Sequence, residues 1–483
     1  MEINAPDNAS KDLLYNLMNI YFPGISEVKV DASVDEIGGE VYAHTGLSGS
    51  INTEGSYSCL ISSHFTSQRV RSLALGRAFY ACAEKLTNYR APFGILTGVR
   101  PAKIALFYLS HGLSVMQTEN ILCRDYLIMP EKAGVLIRAA EYESELSCSL
   151  SDSDCFLYIS IPFCPTRCAY CSFISSAAPH HLKLIPKYLD TLKKELCAVG
   201  EIMRRTSRRL RGVYVGGGTP GILTVAQTDG LLDVLEASFD LSGCVEITYE
   251  IGRPDTVTVE KLETLKKHGV GRISINPQST NDDVLKAIGR NHTADDFYEA
   301  FEEAKKTGFT SINSDIITGL PGDSEKGVLK TLSDCISLGA ENITVHSLCK
   351  KRSSDMTISP SDIRTEEVAG LNDMCKKLLY AQGYESYYIY RQKNAVGNGE
   401  NTGFALKDHI CEYNIAMMED MCSVLSCGAG AVTKLVNKGM IERLYSYKYP
   451  TEYLSFPDKT NNNLKKLESN LDRNRKPTDV TKA

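Results

Sequence analysis

The feature that most limits the fold is an alternation of strand-like and helix-like segments in the middle of the chain. Six short segments rich in Val, Ile, Tyr or Thr are each followed by a Gly, Pro or polar break, as β-strands often are. They are FLYISI from Phe156, GVYVG from Gly212, CVEITYEI from Cys244, RISIN from Arg272, TSINSDIITG from Thr310 and NITVHSL from Asn342. Strands that alternate with helices predict a parallel sheet with right-handed crossovers. Because six units are fewer than the eight of a closed (β/α)8 barrel, we expect an open or partial α/β barrel.

The chain on either side of this alternation has a different pattern. Residues 1–148 mix strand-like and helical stretches, which predicts an N-terminal α+β accessory domain. A Ser-rich, acidic linker near residues 142–155 leads into the barrel over 152–355. Residues 356–457 predict a mostly helical C-terminal domain with one strand-like patch, YESYYIYRQ. The tail, 458–483, has few apolar residues, and we expect a frayed helix or disorder there.

Composition argues against several classes of protein. A hydrophobic content of 43% and a charged content of 23% are typical of a soluble globular protein. The formal net charge of -6 gives no indication of nucleic-acid binding, and no apolar run is long enough to span a membrane. The start, MEINAPDNASKD, lacks the basic and apolar parts of a secretory signal. We therefore expect a cytoplasmic protein in which most of the sixteen cysteines are reduced thiols.

Three cysteines follow directly after the first strand of the alternation. In IPFCPTRCAYCSF they are Cys164, Cys168 and Cys171, with the spacing C-x3-C-x2-C. This spacing rarely arises by chance, which disfavours three unrelated buried thiols. A zinc site of the Cys3His type, with His180 or His181 as the fourth ligand, is one interpretation. The other is a [4Fe-4S] cluster at the C-terminal rim of the barrel, where three thiolates leave one iron open to a further ligand.

A glycine-rich segment ends the second strand. It is VYVGGGTPG, which contains Gly216, Gly217, Gly218, Thr219 and Pro220. Three glycines alone can mean only a tight turn with positive φ. At the same rim as the cysteines, however, the missing side chains let the backbone approach a ligand and offer it N–H and C=O groups. The segment therefore predicts a binding turn beside the cysteines.

Four polar residues lie at or after the next strands. They are Glu250 in TYEIGRPD, Gln278 in SINPQS, Arg290 in IGRNH and Asp315 in NSDIITGLPG. Taken singly, each is most often a solvated charge or a structural ion pair. Together they suit a zwitterion and a ribose, because a carboxylate binds hydroxyls or an ammonium and an arginine binds a carboxylate.

The cysteine spacing, with Tyr170 before its last cysteine, resembles the signature of the radical S-adenosylmethionine (SAM) superfamily. The resemblance implies that Cys164, Cys168 and Cys171 hold a [4Fe-4S] cluster. It further implies that the open iron binds the amino and carboxylate groups of SAM. One-electron reduction then cleaves SAM to a 5′-deoxyadenosyl radical that takes a hydrogen atom from the substrate.

The motifs together resemble the oxygen-independent coproporphyrinogen III oxidase (coproporphyrinogen dehydrogenase) family. YISIPFCPTRCAYC, GGGTP, YEIGRPDT, RISINPQS, IGRNH and DIITGLPG recur there in this order. PFGILTGVRPAK, YYIYRQKNAVGN and CGAGAVTK resemble its HemZ-like branch. By this resemblance Tyr158 and Glu250 are catalytic residues. The implied SAM-binding residues are Tyr158, Tyr170, Gly217, Gly218, Thr219, Glu250, Gln278, Arg290 and Asp315.

The reaction that the resemblance implies converts two propionates of coproporphyrinogen III to vinyl groups and gives protoporphyrinogen IX. The implied partners are this tetrapyrrole substrate and a reduced flavodoxin- or ferredoxin-type electron donor. Phe173 stands where the well-studied oxidases carry another cysteine, and the related haem chaperones have phenylalanine there. The alternatives are therefore a haem-binding, chaperone-like protein without decarboxylase activity, or a radical SAM enzyme that acts on another tetrapyrrole.

A substrate with four carboxylates is expected to meet cationic groups at the rim of the barrel. His346, which ends the sixth strand, is a candidate acid or hydrogen-bond donor. The candidate cations are Arg253, Lys350, Lys351, Arg352 and Arg391, although each is more often simply solvated.

Overall fold

The computed structural model describes residues 1–61, 67–87, 89–171, 179–349, 365–392, 395, 399–437 and 440–473. The chain divides into two compact units. The first comprises Met1–Glu141 and Ile389–Lys393, and the second comprises Tyr142–Tyr388 and Asn394–Ala483. Among the helices of these described residues, none combines the length and the apolar content that crossing a lipid bilayer demands.

The first unit is built on a four-stranded sheet in the order β1-β2-β3-β4. The strands are β1 (Glu2–Asn4), β2 (Val28–Ile37), β3 (Glu40–Gly49) and β4 (Thr53–Leu60). β1 is parallel to β2, whereas β2, β3 and β4 pair as antiparallel hairpins. The helices that begin in this unit are α1 (Asn8–Tyr21), α2 (Ser67–Leu86), α3 (Ala102–Ser110), α4 (Val115–Arg124) and α5 (Pro130–Ser149). Alternate residues of β2 and β3 are buried, so one face of the sheet joins the core and the predicted α+β architecture is confirmed.

The second unit is built on one eleven-stranded sheet in the order β11-β12-β10-β9-β8-β7-β6-β5-β13-β14-β15. Its central strands are β5 (Asp154–Ile161), β6 (Arg209–Gly217), β7 (Glu246–Gly252), β8 (Arg272–Ile275), β9 (Ser311–Thr318) and β10 (Asn342–Ser347). These six are the predicted strands, and each pairs in parallel with the next. The outer strands are β11 (Glu385–Arg391), β12 (Glu400–Ala405), β13 (Ser423–Cys427), β14 (Val432–Asn437) and β15 (Met440–Tyr445). The sheet order does not close on itself, which confirms an open α/β barrel.

Helices connect the central strands, as parallel pairing requires. Those between β5 and β10 are α6 (Pro179–Leu182), α7 (Ile185–Arg205), α8 (Val225–Ser238), α9 (Val259–Lys267), α10 (Asp282–Ala287), α11 (Ala294–Thr307) and α12 (Glu325–Ser337). The later helices are α13 (Thr365–Ala381), α14 (Glu412–Glu419), α15 (Pro450–Ser455) and α16 (Pro457–Arg473). Thr258 caps α9, because its Oγ1 accepts a hydrogen bond of 3.3 Å from the Lys261 N–H.

The structure differs from the sequence-based expectation in three places. Most of the expected linker at 142–155 belongs to α5, which ends at Ser149, and to β5, which begins at Asp154. Strands β12 to β15 were not expected; β13 extends the run of parallel strands because it pairs in parallel with β5. In the described part of the tail, where fraying or disorder was expected, Pro457–Arg473 form helix α16, with Leu467 and Leu471 buried in the core. The other predicted domain limits remain predictions.

Candidate active site

The three cysteines lie in the segment that leaves the C-terminal end of β5. Cys164 and Cys168 are buried, and Cys171 is partly exposed. The Cys171 N–H donates to the Cys168 carbonyl at 3.1 Å, and the Ala169 N–H donates to the Ile288 carbonyl at 3.0 Å. This segment is therefore fixed both by its own turn and by the chain that follows β8.

The thiols are too widely spaced for a single metal ion. Among the described residues, one set of ligand atoms lies within 4.8 Å of one another, and it belongs to Asp229, Asp233 and His268. A tetrahedral zinc with Zn–S bonds of about 2.3 Å would draw three thiolates into such a set. The His180 side chain lies outside the described residues, and His181 forms no such set with the cysteines. The donor set fits a larger, all-thiolate iron–sulfur cluster better than zinc.

The glycine segment packs directly against the chain that leads to the first cysteine. The Gly218 N–H donates to the Ile161 carbonyl at 2.9 Å, and the Thr219 N–H donates to the Phe163 carbonyl at 2.7 Å. A Cβ on Gly218 would lie 2.5 Å from the Phe163 oxygen, so no larger residue fits there. The Thr219 hydroxyl donates to Cys164 Sγ at 3.4 Å. The predicted binding turn and the first cysteine are thus one packed unit.

Glu250, at the end of β7, faces the same glycine segment. The Tyr214 hydroxyl donates to Glu250 Oε1. A Cβ on Gly216 would lie 2.7 Å from Glu250 Oε2, so the carboxylate occupies the room that the missing side chain leaves. Burial raises the pKa of Glu250 to about 7, and the charge of Asp315 adds to this effect. A carboxyl group with its pKa near neutrality is a common feature of binding and catalytic sites.

Asp315, on β9, forms a polar pair with His346, on β10. The His346 Nε2 lies 3.7 Å from Asp315 Oδ1, and the Asn313 amide donates to the same oxygen at 2.9 Å. Burial raises the pKa of Asp315, but its contacts with His346 and Asn313 outweigh this, so the pKa is lowered. Burial acts the other way on His346, whose pKa is nevertheless raised through contact with Asp315. Both shifts therefore favour the charged forms of Asp315 and His346.

Gln278, after β8, has a backbone conformation and a buried side-chain oxygen that both indicate a ligand. Its φ of 66° places a non-glycine residue in the left-handed region, where backbone strain accompanies many functional sites. Its N–H donates to the Asp315 carbonyl at 3.0 Å. Its Oε1 is buried and has no hydrogen-bond partner within the described part of the chain. A buried amide oxygen of this kind fits a bound donor such as a ribose hydroxyl or an ammonium group.

The predicted site residues therefore lie together, although their individual roles stay predictions. Tyr158 lies on β5 and stacks on Tyr413, at 6.2 Å between ring centroids. Arg290 is buried and donates from Nη2 to the Tyr170 hydroxyl at 3.1 Å. Tyr214 was missed, although it lies two residues before Gly216 on the same face of β6. No pattern near the motifs indicated Tyr413, because it lies beyond the predicted strands.

Two of the candidate substrate cations have structural partners. Arg253 is buried, and its Nη2 lies 2.7 Å from Asp255 Oδ2, so it serves an internal ion pair. The guanidinium of Arg391 lies 4.6 Å from the Phe93 ring centroid, and both residues belong to the first compact unit. Each of these two cations thus has a structural partner, and its contact with a substrate stays a prediction. Lys350, Lys351 and Arg352 lie outside the described residues.

Comparison with known proteins agrees with this geometry. The Radical SAM superfamily model matches residues 158–335. Over 391 residues the chain is 37% identical to the oxygen-independent coproporphyrinogen-III oxidase-like protein HemZ of Bacillus subtilis (strain 168), covering 79% of this chain and 78% of that protein. The chain belongs to the radical SAM superfamily, in the family of HemZ. Its cofactors are therefore a [4Fe-4S] cluster and SAM, which the donor set and the unpartnered Gln278 amide fit.

This radical SAM protein also resembles haem chaperones. It is 37% identical to the heme chaperone HemW of Bacillus subtilis (strain 168) over 198 residues, which are 40% of this chain and 49% of that protein. The Escherichia coli (strain K12) HemW is 27% identical over 304 residues, 62% of this chain and 75% of that one. The solved structure of coproporphyrinogen III oxidase (HemN) from Escherichia coli covers 66% of this chain and 72% of its own, with a TM-score of 0.52 and 22% identity. HemN therefore shares the fold.

Proposed function

We propose that the protein is an oxidoreductase that decarboxylates two propionates of coproporphyrinogen III to vinyl groups and yields protoporphyrinogen IX. The observation that supports this most is the similarity to the coproporphyrinogen-III oxidase-like HemZ over most of both chains. Each propionate would lose one hydrogen atom from its β-carbon to the 5′-deoxyadenosyl radical, then carbon dioxide and one electron, which would pass to an external one-electron acceptor. A reduced flavodoxin- or ferredoxin-type protein would supply the reducing electron in the cytoplasm.

In this proposal some residues of the site hold the cluster and others bind SAM. Cys164, Cys168 and Cys171 hold the cluster. Bound there, the cluster and SAM would supply reductive one-electron chemistry and hydrogen-atom abstraction. Arg290 would bind the SAM carboxylate, because a buried guanidinium matches a carboxylate well. The other proposed SAM contacts are Tyr158, Tyr170, Gly217, Gly218, Thr219, Glu250, Gln278 and Asp315.

The proposed catalytic pair is Tyr158 and Glu250. Both side chains are partly exposed although their strands lie inside the sheet. With a pKa of about 7, Glu250 can hold or release a proton at neutral pH. Opposite it, His346 would offer a cationic N–H group to a substrate carboxylate, a role compatible with its raised pKa.

A second candidate is a haem-binding protein that keeps the cluster and SAM without decarboxylase turnover. Two observations favour it: the similarity to heme chaperones HemW, and phenylalanine at position 173. A radical SAM enzyme with another tetrapyrrole substrate is the third candidate.

One anaerobic assay distinguishes these functions. Reconstituted protein receives SAM, a reductant and coproporphyrinogen III, and protoporphyrin and 5′-deoxyadenosine are measured. Formation of both, and of neither by the Cys168→Ala variant, is the expected result. Cleavage of SAM without vinyl product would favour another tetrapyrrole substrate. Tight haem binding with neither product would favour the chaperone-like function and overturn the proposal.

A further inference from the structure

Three tyrosine rings stack inside the open barrel. Tyr214, on β6, and Tyr413, on α14, lie 4.4 Å apart between ring centroids, with 20° between their planes. Tyr158 lies 6.3 Å from Tyr214 and 6.2 Å from Tyr413, also in stacked orientations. Such contacts hold aromatic rings in a fixed orientation as well as burying apolar area.

The position of Tyr413 is set at the opposite end of the strands from the cysteines. Glu246, at the start of β7, accepts a hydrogen bond of 2.7 Å from the Tyr413 N–H and one of 3.2 Å from the Glu412 N–H. Arg272, at the start of β8, donates to the carbonyls of His409 and Ile410 at 2.8 and 2.6 Å. The segment that carries Tyr413 is therefore anchored to the base of the barrel, and its ring is buried.

The hydroxyl of Tyr214 reaches the mouth of the barrel, where it donates to Glu250 Oε1. Tyr214 is the only side-chain donor to this carboxylate among the described residues. The other carboxylate oxygen, Oε2, lies where a side chain on Gly216 would stand. The carboxylate is thus held between the Tyr214 hydroxyl and the glycine segment.

We propose that Tyr214 is a positioning residue that orients the Glu250 carboxylate toward bound SAM, and that Tyr413 fixes the Tyr214 ring. This inference rests on the proposed role of Glu250 as a SAM contact. The added feature is a series of contacts: Glu246 holds the Tyr413 segment, Tyr413 stacks on Tyr214, and Tyr214 donates to Glu250.

The charge on Glu250 gives this inference a measurable consequence. The titratable groups that face Glu250 are Asp315, His346 and the hydroxyls of Tyr158, Tyr214 and Tyr413. The Tyr214 hydroxyl stabilises the carboxylate, so its removal raises the pKa of Glu250 above the value of about 7. If SAM binds the anion, its affinity falls as the pH drops through that pKa, and without the hydroxyl this fall begins at higher pH.

The experiment measures SAM binding by calorimetry, with no reductant or substrate, from pH 6 to pH 9. It uses the full, cluster-loaded chain and its Tyr214→Phe variant. We expect the midpoint of the affinity loss to move up by about one pH unit, since a lost hydrogen bond to a charged group costs at least that much. At pH 7 this corresponds to a dissociation constant about fivefold weaker, because fewer molecules carry the competent anion.

Three further variants separate positioning from a general structural effect. Tyr249→Phe is the matched control, because the buried hydroxyl of Tyr249, beside Glu250 on β7, donates to the Pro220 carbonyl at 2.9 Å. It should leave the pH midpoint unchanged. Tyr413→Phe keeps the stacked ring and should retain the normal midpoint, whereas Tyr413→Leu should shift it part of the way toward that of Tyr214→Phe.

Each outcome of the experiment is decisive. An unchanged midpoint in Tyr214→Phe, or an equal shift in Tyr249→Phe, would overturn the positioning role while leaving the proposed function intact. Loss of SAM binding by the unaltered protein at every pH would instead overturn the proposed function, and this inference with it.

Discussion

Arg290 donates from Nη2 to the hydroxyl of Tyr170 at 3.1 Å and from Nη1 to the carbonyl of Asn276 at 2.7 Å. The first bond joins the chain after β8 to the residue directly before Cys171. Both of these partners are neutral, and the buried guanidinium also contacts the sulfur of Cys168. An arginine held in this way is oriented before a carboxylate arrives, which lowers the entropy cost of binding.

Tyr170→Phe should therefore weaken SAM binding without loss of the cluster. The phenyl ring keeps the packing against the apolar cluster that includes Leu348, but Arg290 loses its hydrogen bond to the Tyr170 hydroxyl. A net hydrogen bond is worth about 1 kcal/mol, or roughly a fivefold change in dissociation constant. Calorimetry with SAM, together with iron and sulfide analysis, checks this. Normal affinity in a protein with full iron would show that the bond does not orient Arg290.

Cys168→Ala should abolish the cluster. The thiol is buried in the segment that follows β5, and the remaining two cysteines cannot hold a cubane firmly. Brown absorbance, iron and sulfide should be lost after anaerobic reconstitution near neutral pH. Cys197→Ala is the matched control, because Cys197 is exposed on α7 and should be replaceable without any loss of iron. Undiminished iron and sulfide in Cys168→Ala would contradict the ligand assignment.

Gly218→Ala tests the contact between the glycine segment and the cysteine segment. The added Cβ would lie 2.5 Å from the Phe163 oxygen and 2.9 Å from the Phe163 N, all backbone atoms that cannot move alone. We expect a loss of about 2–3 kcal/mol in stability to urea, together with lower iron content.

The matched control for this change is Gly370→Ala. Gly370 lies in α13, and an added Cβ would have no atom of the described residues within 4 Å. Alanine should therefore stabilise the helix by about 0.5–1 kcal/mol. Equal urea midpoints for the two variants would argue against close packing at Gly218.

These contacts illustrate how much the sequence could reveal. Strands β5 to β10 could be recognised because buried parallel strands carry nearly continuous Val, Ile and Tyr. The cysteines and the glycines come together because they follow strands that end at the same edge of the sheet. The outer strands β12 and β14 contain Asn, Lys or Gly, and only pairing within the sheet makes them strands. The ion pair of Arg253 with Asp255 was not predicted, because it depends on the backbone of the turn after β7. The contact of Tyr413 with Tyr214 was not predicted either, because Glu246 holds the segment of Tyr413 far along the chain from Tyr214.

The cluster of Asp229, Asp233 and His268 should behave as an ion-pair site rather than a metal site. His268 Nε2 lies 2.9 Å from Asp229 Oδ1, and its Nδ1 lies 2.6 Å from Glu236 Oε1. With a carboxylate at each ring nitrogen, the protonated ring is favoured and has no lone pair for a metal. Added zinc should not change the melting temperature.

The same site predicts a pH dependence of stability. Burial lowers the pKa of His268, but hydrogen bonds with Asp229 and Glu236 outweigh this and raise it, against a small opposing effect of Lys267. The stabilisation is therefore complete below the unfolded pKa of about 6.5 and is lost as the pH rises through the folded value. His268→Gln should lower the urea midpoint strongly at pH 6 and much less at pH 9. An equal effect at both values would contradict the charged pair.

Replacing Gln278 with glycine should affect the stability of the protein and its affinity for SAM in different ways. Its left-handed backbone, with φ of 66°, costs about 1 kcal/mol for a residue with a Cβ, and glycine removes that cost. Gln278→Gly should therefore keep or slightly raise the urea midpoint. SAM affinity should fall about tenfold, because the variant lacks the buried Oε1 that has no partner within the described residues. Asp408→Gly is the control, since Asp408 has φ of 67° but is exposed. This control should leave SAM affinity unchanged. Unaltered SAM affinity in Gln278→Gly would show that the Gln278 amide binds no part of SAM.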